Sequence, residues 1–134
     1  MVQTDIGGSI HIEVADTLSV ADVDKISRKI TKCVMEKYGI VLHTIGIYSV
    51  NTKDKNIIKI KNDIHDIVFS HTGILQMHGF YVDEADKTIS LDIIIDFNVK
   101  NREKLYKELY DEIKAYKTQS GLNELVGGSE GINI

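Results

Sequence analysis

The stretch Gly73 to Phe97, GILQMHGFYVDEADKTISLDIIIDF, constrains this chain more than any other. In its second half Ile89, Leu91, Ile93, Ile95 and Phe97 fall on one face and Ser90, Asp92 and Asp96 on the other. That period of two suits an extended strand and cannot be used by a helix. Ile74 to Val82 reads as a second strand, and Asp83 to Lys87 as the acidic turn between the two. An apolar sheet face has to be covered, so amphipathic helices are required on either side of the hairpin in sequence.

The flanking segments supply them. Upstream, Ile10, Ile12 and Val14 alternate with His11 and Glu13, which makes a strand from Ser9 to Val14 with His11 and Glu13 on one face. Ser19 followed three residues later by Asp22 has the form of a helix start, and Val20, Val23, Ile30, Val34 and Tyr38 carry an apolar stripe to Gly39, a natural C-cap. Ile40 to Val50 is apolar on both faces, as in a central strand, and His43 within it is expected to be a hydrogen-bonded core histidine. A second helix is expected to start near Asn51 or Thr52 and to bury Ile57, Ile60, Ile64, Ile67 and Val68. A third, capped by Asn98 or Asn101, turns Leu105, Leu109 and Ile113 inward. The expectation is a two-layer α+β fold, with all four strands in one sheet and the three helices mainly on one side. Residues 1–118 form the domain, and the Gly/Ser-rich segment 119–134 is a tail.

Composition narrows the function. A chain of 134 residues can bury a core that needs no staples, and its single cysteine, Cys33, has no partner within the chain. That thiol is expected to be buried and structural, in a reducing compartment. A net charge of -4 and a pI near 5.7 argue against a nucleic-acid partner. Apolar runs fall far short of the ~20 residues that span a bilayer, and no signal peptide is visible, so a soluble domain is expected. The sequence has no CxxC, HExxH, GxSxG or GxGxxG pattern, and GGSEG lacks the lysine of a phosphate loop. No catalytic residue is identified, and the chain is read as a non-enzyme.

The run SIHIEVADTLSVADVDKISRKI resembles the cytoplasmic dimerisation domain of cation diffusion facilitators. GIYSVNT, and ILQMHGFYVD with LDIIIDF, look like the extended cytoplasmic tail of a bacterial subset of those transporters, and the likeness covers about Gly8 to Lys117. It implies a ferredoxin-like or metallochaperone-like α+β fold, a homodimer, and a response to divalent metal, zinc or manganese. It also implies a cytoplasmic location, with transport carried out by membrane helices that are not part of this sequence. His11 matches the family's strand histidine. Asp24 stands where the family often has a helix histidine, a harder ligand that favours manganese, iron or magnesium over zinc. At the end of the following strand Gly46 and Tyr48 replace the usual ligands, while His78 and Asp92 occupy related places in the second half. The metal candidates implied are therefore His11, Asp24, His78 and Asp92, a sparse set that gives at most a weak site.

Two other classes compete with this reading. A free-standing ferredoxin-like regulatory domain would bind a small effector at a dimer seam, with His11 and Glu13 merely solvated. A hydrolase or metalloenzyme would need a dense ligand set and an activated water, which these residues do not assemble.

Overall fold

The computed structural model describes residues 6–86, 88–120 and 131–133, and the chain forms two compact units, Met1–Thr52 and Lys53–Ile134. The first comprises β1 (Ile6–Ala15), α1 (Val20–Tyr38) and β2 (Ile40–Val50). β1 and β2 pair in parallel through the α1 crossover, with His11 opposite Gly46 and Glu13 opposite Tyr48. The register steps from Gly8 opposite Leu42 to Ser9 opposite Thr44, so His43 is the extra residue of a bulge. At the start of α1 the Ser19 hydroxyl accepts from the Asp22 N–H at 3.1 Å, while the Asp22 carboxylate accepts from the Ser19 N–H at 3.1 Å. This is the reciprocal cap that the Ser-x-x-Asp spacing predicts. Gly39 ends the helix at φ 65°, where its lack of a Cβ matters. The α1 stripe of Val23, Ile26, Ile30 and Val34 is half-buried, and no residue from 6 to 52 is fully buried.

The second unit comprises α2 (Lys55–Phe69), β3 (Ile74–Asp83), β4 (Thr88–Ile95), α3 (Arg102–Gln119) and β5 (Gly131–Asn133). β3 and β4 are antiparallel neighbours, and β5 lies parallel to β4 on its other side. The Asp83 carboxylate accepts from the N–H groups of Ala85 and Asp86, so the acidic turn is held by its own first residue. Ile89, Leu91, Ile93 and Ile95 of β4 form the centre of a core with Ile74 and Phe80 of β3. Ile64 and Val68 of α2 and Leu105, Leu109 and Ile113 of α3 close it. The two helices contact each other over one face of the sheet.

The expected class, two-layer α+β in the ferredoxin-like manner, is the class found. The single sheet is not. The four predicted strands divide two and two, because the α1 crossover lays β1 directly beside β2 while β3 and β4 pair through their own turn, and β5, outside the predicted set, adds a third strand to the second sheet. β2 is consequently no buried central strand, and His43 is exposed rather than part of a core. Cys33 is also exposed, since it lies off the half-buried stripe of α1. Strand β4 stops at Ile95, so Phe97 leaves the apolar face and is 88% exposed, with the Arg102 guanidinium 4.9 Å from its ring centre. The second helix starts later than expected, at Lys55, where the Asp54 carboxylate accepts from the N–H groups of Asn56 and Ile57. Of the alternatives for the third cap, Asn101 is the one used. The expected tail lies largely outside the described residues, apart from the end of α3 and the three residues of β5.

Candidate functional site

The fold brings two of the four sequence-derived metal candidates together. His78 and Asp92 are direct cross-strand partners in the β3–β4 ladder, with Nδ1 to Oδ2 at 3.7 Å. Both lie on the face turned away from the core, where their side chains are 31% and 20% exposed. A bulge sets this pair up: between the pairs His78–Asp92 and Tyr81–Ser90, Gly79 and Phe80 together stand against Leu91. Gly79 takes φ 64°, a conformation that a side chain would strain, and Phe80 is thereby directed into the core while His78 stays on the outer face. The sequence pair His78-Gly79 is therefore a structural unit as well as a candidate ligand position.

His11 and Asp24 are engaged separately. The His11 ring lies flat over Gly46, where an added Cβ would overlap it, and stacks on Tyr48 with ring centres 5.1 Å apart and planes 13° from parallel. The absence of a side chain at Gly46 is what lets the imidazole settle onto β2. His43 makes the reciprocal contact, with its ring over Gly7 of β1. Asp24 accepts a hydrogen bond from Arg28 Nε at 2.8 Å, one turn along α1, and this carboxylate raises the Arg28 pKa above its ordinary value. Both side chains of that pair are well exposed, so it is worth little in stability. Among the described residues no three His, Cys, Asp or Glu side chains converge in a manner that could hold a metal ion.

Two features lay beyond sequence reading. An open groove of about 670 Å³ runs between α1 and β2, floored by Met35, Leu42 and Ile45 and edged by Arg28, Lys32 and Thr44. No motif marks it, because its walls come from the polar side of a helix stripe and from the bulged part of a strand. In the second unit Tyr116 Oη donates to Asp63 Oδ2 at 2.7 Å, although the two are 53 positions apart. Asp63 also accepts from Lys59, and together these two donors lower its pKa. Burial, and then the Asp63 carboxylate, push the Tyr116 hydroxyl up to about 12. This network ties α2 to α3 and is a structural clamp. Where α2 ends, His71 Nε2 meets both carboxylate oxygens of Glu112 on α3, at 3.1 and 3.2 Å.

No family model, curated protein or solved structure matches the chain.

Proposed function

We propose that this chain is the dimerisation and metal-sensing domain of a divalent metal cation efflux transporter, working at the cytoplasmic face of the membrane. The observation that carries the reading is the β1–α1–β2 unit. It contains the I-H-I-E-V strand and the capped amphipathic helix on which the family resemblance rests, yet none of its residues is fully buried. A unit with that much half-covered apolar surface is suited to association with a second copy. No helix among the described residues is long and apolar enough to cross a membrane. The conducting helices of such a transporter would belong to another segment of the protein.

For the metal, His78 and Asp92 offer one imidazole and one carboxylate across adjacent strands, and His11 offers a second imidazole on the first unit. Asp24 would have to release Arg28 to join His11. A zinc or manganese ion at either place takes its remaining ligands from water or from the second copy, because a closed zinc site wants four protein ligands. Titration calorimetry with zinc and with manganese tests this on the wild type, on His78→Ala with Asp92→Ala, and on His11→Ala with Asp24→Ala. Heat that disappears in one double variant locates the ion, and equal heats from all three proteins would remove both sites.

The groove between α1 and β2 favours a second reading, a free-standing ferredoxin-like domain that binds a small effector there. Its Arg28 and Lys32 edge and apolar floor suit an organic anion with an apolar body. A thermal shift with such anions and none with divalent metal would favour this reading over the first.

A further inference from the structure

We propose that β2 pairs along its outer edge with β2 of a second copy, antiparallel, so that two β1–β2 sheets join into one four-stranded sheet across a two-fold axis. This rests on the dimer reading above and specifies its surface. Within residues 6–52 β2 has β1 on one side, and among the described residues no strand lies along its other side. An edge strand normally carries a guard against pairing with other chains, such as a lysine, a proline or an inward charge. β2 has no such residue: IVLHTIGIYSV contains no Asp, Glu, Lys, Arg or Pro, and its bulge at His43 leaves Thr44–Val50 in regular register. The other long strands each carry an acid, Glu13 in β1, Asp83 in β3 and Asp92 in β4.

The lack of charge selects the partner. Antiparallel pairing of a strand with its own copy is self-complementary, and like charges set opposite one another are destabilising. β2 meets no such clash in any register. Its composition is also that of an aggregation-prone segment, so an edge left open would propagate. Two-fold pairing closes it. Among the described residues, the edges left on the joined sheet are the two β1 strands, each carrying Glu13. The bulge at His43 adds local twist to β2 without placing a charge on the edge.

The test combines amide hydrogen exchange by NMR with sedimentation equilibrium on the full chain, from low to high micromolar. In a two-stranded sheet about half of the β2 amides point away from β1. Pairing of two copies protects that outward set at high concentration and leaves it fast-exchanging at low concentration. Thr44→Lys and Ile47→Lys, both at exposed positions, are expected to raise the dimer dissociation constant at least about tenfold by restoring the missing guard. Glu13→Lys on β1 should leave it unchanged. A wild type that is monomeric throughout overturns the dimer reading and this inference with it. A wild-type dimer that keeps its affinity in both lysine variants, or whose outward β2 amides exchange alike in monomer and dimer, overturns the β2 edge alone. Should a lysine variant fail to fold by circular dichroism, the exchange pattern of the unmodified chain decides.

Discussion

Replacing Ile93 and Phe97 separately with alanine tests the core assignment, because the two residues share one period-two face in the sequence and part company in the fold. Ile93 is 2% exposed, between Leu91 and Ile95 of the same buried face and beneath α2 and α3. Isoleucine to alanine deletes three carbons, a transfer loss of about 2.4 kcal/mol at ~0.8 kcal/mol per buried methylene. The cavity left behind adds to this wherever the neighbours cannot close in, which gives an expected cost of about 3–4 kcal/mol, inside the ~2–5 range for such truncations. Phe97, already 88% exposed, loses only its contact with Arg102, worth ~0.5–1 kcal/mol at an exposed site. Urea unfolding followed by tyrosine fluorescence measures both, and exchange of the β4 amides assigns the loss to the second unit. A cost below ~0.5 kcal/mol for Ile93→Ala, or equal costs for the two variants, would refute this placement of the core.

Asp63→Asn should lower the Tyr116 pKa from about 12 part of the way toward 10.0, since burial still acts after the carboxylate is gone, as read by tyrosinate absorbance. A raised folded-state value contributes stability that is fully present below pH 10.0 and is lost as the pH rises toward about 12, so the variant should lose less stability over that alkaline window. Ser19→Ala removes the cap of α1 and should cost ~0.5–2 kcal/mol near neutral pH. Because Ser19 lowers the Asp22 pKa below 3.8, the part that Asp22 contributes should fade as the pH falls through and below that value, in urea titrations at stepped pH. Gly79→Ala forces a side chain into φ 64° and should cost ~1–2 kcal/mol by the same assay. Gly46→Ala should displace the His11 ring from Tyr48 at modest cost, seen as a change in the His11 ring proton shifts.

Local signals were the legible ones. The Ser19–Asp22 cap, the Gly39 stop, the Asp83 turn and the alternation from Ile89 to Ile95 depend on neighbours within a few residues, and all are present in the fold. Pairing between strands was harder to read. β2 is apolar on both faces, which a buried central strand and an unguarded edge strand share, so composition could not place it or His43. Phe97 continued the alternation, but Asp96 ends the strand: its N–H donates to the Gly73 carbonyl and its carboxylate accepts from Asn98. Of the candidate ligands, His78 and Asp92 meet because the Gly79 bulge sets the register of the hairpin, and a glycine after a histidine only hints at that. Asp24 was assigned by position in a motif, and the sequence also shows Arg28 one turn away, the partner that holds it.

Sedimentation equilibrium of the full chain, with and without equimolar zinc or manganese, tests the central claim most directly. The account predicts a concentration-dependent dimer whose dissociation constant falls when the metal is added. A chain that remains monomeric at high micromolar concentration, with metal and without it, would contradict the reading as a metal-responsive dimerisation domain.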